Sequence, residues 1–180
     1  YLTAARRAAA FVRERLTTPE GDLLHRFKDK AASVPGFLDD YACFAAGLVD
    51  LYEATLEREY LDEAVRLAAR MEQLFWDEEE GGFFLTPAGY DAALVRPKEL
   101  WDQAVPSGNG VAAITLWRLS FLTGEDRWRV RTSELLAAFV GQMTRNPWGT
   151  ASLLLAVDLY HRGPKEIALV GPVYSPAGQR

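Results

Sequence analysis

The feature that most constrains the fold is an alternation between two kinds of helical segment. The outer kind has one apolar face and one charged face, and it occupies residues 1–16, 59–75 and 126–145. The inner kind is apolar almost all round, and it occupies residues 39–56, 107–123 and 147–160. A one-faced helix lies at a surface, whereas a helix that is apolar on every side is buried on most sides. The alternating order therefore predicts stacked helical hairpins, an all-α fold.

A weak internal repeat supports stacking over a generic bundle, which remains the alternative. A shift of 68 positions aligns Leu48 with Leu116, Leu51 with Leu119, Thr55 with Thr123, and Tyr60 with Trp128. On the logic of repeat proteins, a closed toroid of six such hairpins needs roughly 400 residues. The chain has 180 residues. We therefore expect about half of a six-hairpin toroid, with inner helices that lack part of their packing partners.

The links between helices indicate where a binding site would lie. Two of the three outer-to-inner links are long, at residues 17–38 and 76–106, and both contain turn glycines and short apolar runs. Loops of this length are usually functional or disordered, and these read as ordered, β-like flaps. They lie at the end of the array that carries the inner-helix N-termini. Because free N–H groups and positive dipole ends favour oxygen-rich ligands, we expect any pocket there.

Composition excludes several classes of function. A net charge of −5 argues against a protein that binds nucleic acid or an anionic membrane by neutralising phosphates. No apolar run approaches the roughly 18 residues of a membrane span. Cys43 is the only cysteine, which rules out an internal disulfide and favours a reducing compartment, so we expect a cytoplasmic protein with Cys43 as a small core residue. With two histidines, neither a metal nor another cofactor is expected.

The domain prediction follows from the helices. Residues 1–164 are expected to form a partial (α/α) toroid of three helix pairs. Residues 165–180 begin with an apolar, strand-like run that has no partner in this chain. We therefore expect this tail to start a segment whose partners lie elsewhere.

Several short motifs resemble, in order and spacing, the C-terminal half of the spermatogenesis-associated protein 20 family. They are GFLDDYA at 36–42, LFWD at 74–77, GGFF at 81–84, RPKE at 96–99, Asp102, PSGN at 106–109 and GPKEI at 163–167. The resemblance implies an N-terminal thioredoxin-like domain followed by an (α/α)6 barrel similar to N-acylglucosamine 2-epimerases and six-hairpin glycosidases. It implies no assigned reaction. Cys43 matches no redox motif, and the histidines that such epimerases use have no evident counterpart here.

Three carboxylates are the candidate catalytic residues: Asp40, Glu99 and Asp102. Asp39 and Asp40 open an inner helix, so one is expected to cap it, while the other can serve as acid, base or hydroxyl acceptor. Glu99 and Asp102 lie in the second long loop, where a surface salt-bridge cluster is the alternative. Carboxylate pairs also serve glycoside chemistry, at separations that a sequence does not supply.

Seven further residues are candidate substrate-binding residues: Tyr41, Phe84, Arg96, Lys98, Trp101, Ser107 and Asn109. Their shared feature is a place at the predicted pocket end, with aromatic faces beside charged and polar groups. Aromatic faces cover the C–H faces of sugar rings while polar groups bind hydroxyls. The alternatives are helix capping for Ser107 and Asn109, and core packing for Tyr41 and Phe84.

Two functions from different classes remain open. The first is a carbohydrate-processing or carbohydrate-binding (α/α)6 domain, such as a sugar epimerase, isomerase or glycoside hydrolase, with a sugar-like ligand. The second is a non-catalytic scaffold or protein-binding module that serves an attached thioredoxin-like domain and the remainder of the barrel. A terpene-cyclase-like toroid is disfavoured, because Asp39 and Asp40 lack the further aspartates that chelate magnesium.

Overall fold

The computed structural model describes residues 1–90 and 95–165. Within them the fold is all-α apart from one hairpin, as predicted. The helices are α1 (Leu2–Arg15), α2 (Leu38–Thr55), α3 (Arg58–Phe75), α4 (Gly108–Thr123), α5 (Asp126–Ala138), α6 (Val140–Arg145) and α7 (Ala151–Arg162). The strands are β1 (Leu24–Lys28) and β2 (Ala31–Pro35), and a short 3-10 turn, Trp148–Thr150, leads into α7.

The helices form an inner row and an outer row. In the inner row α4 packs between α2 and α7, while α3 and α5 cover α2 and α4 from outside and α1 lies against α2. The core lies between the rows, and its largest fully buried side chains include Trp128, Phe75 and Leu116. The predicted alternation of outer and inner helices is therefore confirmed.

The internal repeat corresponds to a repeated structure. Thr55 ends α2 with its hydroxyl donating to the Leu51 carbonyl at 2.7 Å, and Thr123 ends α4 with the same bond to Leu119, also at 2.7 Å. Each threonine hydroxyl then accepts the N–H two residues further on. The aligned residues thus turn the chain identically from inner to outer helix, which supports stacked hairpins over a generic bundle.

Both long links cover one end of the array. In the first, β1 and β2 pair antiparallel around Asp29 and Lys30, which both have positive φ, as a two-residue hairpin turn requires. The second has a single bridge, between Trp76 and Phe83, and is otherwise irregular in its described part. The end of the array that carries the N-termini of α2, α4 and α7 is called the N-terminal pole below.

Two details differ from the sequence prediction. The outer segment 126–145 is broken at Phe139, and the break places the buried Phe139 ring against Gly82 of the second link. Cys43 is exposed rather than in the core, because it lies on a stripe of α2, with Gly47 and Asp50, that no described helix covers. The predicted strand-like tail, residues 165–180, lies outside the described residues except for Lys165.

Candidate functional site

Asp39 lies at the centre of the N-terminal pole. It sits in the first turn of α2, and its Oδ1 atom is buried against Gly108 at the start of α4, without a hydrogen bond of good geometry. Burial, and then the nearby carboxylates of Glu99 and Asp40, raise the pKa of Asp39 above its usual value, against the opposing effect of the Gly108 N–H. The Oδ1 atom is thus enclosed by the fold, whereas the Asp39 residue as a whole is half-buried.

Asp40 joins α2 to the first flap. Its Oδ2 atom accepts the N–H of Phe37, the N-cap of α2, at 2.8 Å. An aspartate thus caps the helix as predicted, but from the third helical position and not as the N-cap itself. The same oxygen lies 2.9 Å from His25 Nδ1 on β1, and the His25 ring packs against Phe37 with its centroid 4.8 Å away. A carboxylate at this position favours a proton on Nδ1 and leaves Nε2 as the basic nitrogen.

Glu99 and Asn109 connect the second link to α4. Glu99 is exposed, and its carboxylate is close enough to act on the pKa of Asp39. Asn109 is fully buried: its amide donates to the Glu99 carbonyl at 2.8 Å and to the Phe83 carbonyl at 3.0 Å, and its Oδ1 accepts the Phe83 N–H at 2.9 Å. Asn109 therefore holds the link in place, and its polar atoms are occupied by backbone.

Asp102 and Ser107 cap two inner helices. Asp102 accepts the N–H groups of Ser107 at 2.8 Å and Ser152 at 2.7 Å, and the Ser152 hydroxyl at 2.5 Å. Burial acts to raise the pKa of Asp102, but the hydrogen bonds from Ser152 and Ser107 hold it below its usual value. Ser107 is the N-cap of α4, where it accepts the Gly110 N–H at 3.2 Å, as expected. These contacts give Asp102 a structural role, and its catalytic role stays a prediction.

The predicted cations bind the scaffold. Arg96 donates to the carbonyls of Thr86 and Leu74, and Lys98 donates to the Gly81 carbonyl at 2.7 Å. Lys98 also pairs with Asp77 at 2.6 Å. Phe84 lies beneath both cations, with its ring centroid 4.2 Å from the Arg96 guanidinium and 5.1 Å from Lys98 Nζ.

The two remaining candidates differ in accessibility. Tyr41 is buried, and its hydroxyl accepts the Leu23 N–H at 2.9 Å; burial raises the pKa of Tyr41 to about 12. The structure thus places Tyr41 in the core, holding the first flap. Trp101 is exposed and lies against Gly149, beside α7.

The structure therefore brings together Asp39, Asp40, Glu99 and His25 at the pole. Asp39, Asp40 and Glu99 are called the acidic cluster below. Sequence reasoning left His25 aside, because nothing in the residues around it shows that a hairpin folds it back onto α2. Within the described residues, no group of three or more His, Cys, Asp and Glu side chains is placed to hold a metal ion.

A cavity of about 430 Å³ opens beside the pole, between the inner faces of α2, α4 and α7. Its lining is mostly apolar and includes Ala46, Val105, Val111, Ile114 and Leu155. Asp102 and Ser152 form part of its wall, with their polar groups bound to each other. The cavity therefore suits apolar groups better than it suits hydroxyls.

Comparison with known proteins confirms the resemblance expected from the motifs. No family model matches the sequence. The chain is 39% identical over 137 residues to spermatogenesis-associated protein 20 of Homo sapiens, and 41% identical over 138 residues to that of Rattus norvegicus. Each match covers 76% of this chain and 17% of the relative, so the chain spans about a sixth of the length of these relatives.

Solved structures share the fold. Cellobiose 2-epimerase from Bacillus thermoamylovorans superposes with a TM-score of 0.62 and 16% identity, over 77% of this chain and 38% of that one. A family 76 glycoside hydrolase (mannosidase) from Bacteroides thetaiotaomicron gives a TM-score of 0.58 and 18% identity, over 77% of this chain and 37% of that one. These likenesses confirm an (α/α)6-type arrangement. Among the described residues, the helices are too short or too polar for any of them to span a bilayer.

Proposed function

Because the chain is homologous to a segment of spermatogenesis-associated protein 20 and shares the fold of sugar epimerases and a mannosidase, we propose that it forms part of an (α/α)6 domain that binds and processes a carbohydrate. The observation that carries the proposal is the convergence of the acidic cluster and His25 at the N-terminal pole. Ligands of open α/α arrays are expected where helix N-termini and long links meet.

Each member of the site has a role in the proposal. The half-buried carboxylate of Asp39 accepts a hydrogen bond from a sugar hydroxyl, and Glu99 accepts a second from the exposed side. Asp40 orients His25 through the bond at 2.9 Å, and the imidazole can exchange a proton with the ligand. The reaction itself is left open between isomerisation, epimerisation and hydrolysis.

Charge narrows the ligand class. The acidic cluster carries three carboxylates, whereas the predicted cations Arg96 and Lys98 are bound to carbonyls and to Asp77. An anionic sugar phosphate would therefore meet repulsion from the acidic cluster. The proposal accordingly favours neutral sugars.

A thermal-shift screen of the full-length protein tests the proposal. The panel contains D-mannose, D-glucose, cellobiose and the corresponding sugar phosphates. A ligand at 100 times its dissociation constant stabilises a fold by about 2.7 kcal/mol, which gives a readily measured rise in Tm. We expect a rise with a neutral sugar and none with the phosphates. No rise with any neutral sugar would refute the proposal.

The apolar cavity favours a second candidate function, a scaffold or protein-binding module. Its lining offers few polar groups, and several predicted site residues, including Asn109 and Arg96, are bound to backbone. In this alternative the domain is a cytoplasmic scaffold that supports the remainder of the barrel and an attached thioredoxin-like domain. This alternative predicts that the protein binds an apolar peptide, that Val111→Asp abolishes this binding, and that sugars do not change the Tm.

A further inference from the structure

Two exposed tryptophans lie at the N-terminal pole outside the acidic cluster. The Trp148 side chain is 92% exposed and Trp101 is 45% exposed. Other aromatic residues of the pole are less exposed: Phe83 and Tyr41 are fully buried, and Phe37 and Phe84 are partly buried. Indole is the largest apolar side chain, so two exposed copies held close together offer an apolar surface to a ligand.

The backbone holds the two tryptophans together. The Asp102 N–H, next to Trp101, donates to the Gly149 carbonyl, next to Trp148, at 2.8 Å. Gly149 allows this approach, because a Cβ there would lie 3.1 Å from Trp101 Cε3 and 2.7 Å from Asn146 Nδ2. Asp102 then fixes the link to α7 through Ser152. Trp101 and Trp148, which we call the aromatic platform, are therefore anchored to one rigid base.

The platform is continuous with the acidic cluster. Glu99 belongs to the cluster and Trp101 to the platform, and they are separated only by the buried Leu100. Two residues of extended chain span about 7 Å, so one ligand can contact both groups. The exposed side chains of Gln103 and Asn146 lie beside the tryptophans in the chain and can bind hydroxyls.

We infer that the aromatic platform binds sugar rings of a neutral oligosaccharide whose first ring lies at the acidic cluster. This inference rests on the proposed function and extends it from a sugar to a chain of sugars. The flat indole faces pack against the C–H faces of successive rings, and the amides beside them bind the hydroxyls at the ring edges. A protein segment or a second copy of the chain covering the platform is the competing occupant.

Calorimetric titration of the full-length protein with sugars of increasing length tests the inference. The probes are D-mannose to mannotetraose and D-glucose to cellotetraose. We expect the affinity to rise at least tenfold from monosaccharide to tetrasaccharide in one series. Trp148→Ala removes this rise and leaves the monosaccharide affinity unchanged, and because Trp148 is almost fully exposed the variant keeps the wild-type melting curve.

Two further variants sharpen the test. Phe121→Ala removes an aromatic side chain that is 41% exposed near the other end of α4, and it is expected to keep the rise. Gly149→Ala displaces Trp101 without removing either indole, and it is expected to reduce the rise. The tetrasaccharide is also expected to protect tryptophan fluorescence from acrylamide quenching in the wild type but not in Trp148→Ala.

Four results would overturn the inference, and they separate it from the proposed function. Monosaccharide binding without a rise, or a rise that survives both Trp101→Ala and Trp148→Ala, refutes the platform and leaves the proposed function standing. Loss of self-association in Trp148→Ala with unchanged sugar affinity assigns the platform to a second copy of the chain. Absence of binding by every sugar in both series refutes the platform and the proposed function together.

Discussion

The charge of Asp39 is disfavoured by the fold. Its Oδ1 is buried against Gly108, and burial together with Glu99 and Asp40 raises its pKa in spite of the nearby Gly108 N–H. A raised carboxyl pKa means that the folded state disfavours the charged form, so the charge destabilises the fold at neutral pH. Functional sites often hold such uncompensated groups.

We therefore expect Asp39→Asn to stabilise the protein by about 1 kcal/mol at pH 7, since the change removes a buried charge and keeps its shape. The difference in unfolding free energy between Asp39→Asn and wild type shrinks as the pH falls through the raised pKa of Asp39. The wild-type carboxylate then binds a proton, and its charge no longer destabilises the fold. Urea unfolding at several pH values measures this. Asp50→Asn is the control and should change little, because the Asp50 carboxylate is exposed and its partner Arg118 keeps a second ion pair with Glu53. A destabilised Asp39→Asn would contradict this view.

In contrast to Asp39, Asp102 has a charged form that the fold stabilises. Ser152 and Ser107 donate three hydrogen bonds to its carboxylate and hold its pKa below the usual value of 3.8 against the effect of burial. The stability it contributes is therefore fully present above about pH 3.8 and is lost as the pH falls through its lower, folded-state pKa.

Asp102→Asn should lower the free energy of unfolding by about 2–3 kcal/mol at pH 7. The difference from wild type should narrow below pH 3.8, where the wild-type carboxyl begins to be protonated. Denaturant titrations at pH 7 and pH 3 test both statements, with Asp158→Asn in an exposed helical pair as the control. An unchanged stability at pH 7 would mean that Asp102 is not a structural cap.

At the scale of elements, close packing of α2 against α4 sets the geometry of the pole. Gly108 begins α4, and a Cβ there would overlap Asp39 Oδ1 and lie 3.0 Å from Leu38. Gly47, within α2, has nothing within 4 Å of such a Cβ. The same substitution is thus expected to have opposite effects at two glycines of the same helix pair.

We expect Gly108→Ala to destabilise the protein by about 1–3 kcal/mol through overpacking. Gly47→Ala should stabilise it by about 0.5–1 kcal/mol, because alanine is the better helix former and meets no neighbour. Chemical unfolding of both variants measures the two values. Equal effects of the same sign would show that the two helices are not packed at the pole as described.

Sequence reasoning predicted the elements well where a periodic pattern carried the information. The inner helices α2 and α4 each pack against neighbours on both sides in the inner row and an outer helix, and their broad apolar surface predicts this burial. The break at Phe139 left no such signal, because it depends on a contact with Gly82 that is distant in sequence. The partners of the link residues were equally hard to predict. The sequence RPKE at 96–99 shows that the link is charged, but only the fold shows that Arg96 and Lys98 donate to backbone carbonyls.

The candidate site was predictable as a location and less so as a set of residues. Loop lengths and helix order placed it at the N-terminal pole, where the acidic cluster lies. Tyr41 and Asn109 were chosen as ligand-binding types, yet their polar atoms hold flap backbone. His25 reaches the pole only through a long-range contact with Asp40, which the spacing of residues along the chain does not encode.

At the scale of the whole molecule, the inner face of the array is an apolar surface without a described neighbour. Leu155 is 51% exposed on α7, and the 430 Å³ cavity that it lines opens between α2, α4 and α7. Val140, on α6, is also 55% exposed. Exposed apolar surface of this kind favours association.

Residues 1–180 produced alone should therefore associate with themselves as the concentration rises. Light scattering coupled to size-exclusion chromatography measures this, and Leu155→Glu should reduce it because a charge is introduced into the apolar surface. A sharp monomeric peak with a cooperative melt, at every concentration, would show that the three helical pairs need no further partner.

The central claim, that the acidic cluster binds a neutral sugar, is tested most directly by calorimetric titration of wild type and Asp39→Asn with D-mannose and cellobiose. The full-length protein is used, with Asp50→Asn as the control. We expect at least one sugar to bind the wild type and the control equally, and to bind Asp39→Asn at least tenfold more weakly, about 1.4 kcal/mol. Equal affinity for wild type and Asp39→Asn, or no binding of either sugar to the wild type, would contradict the account.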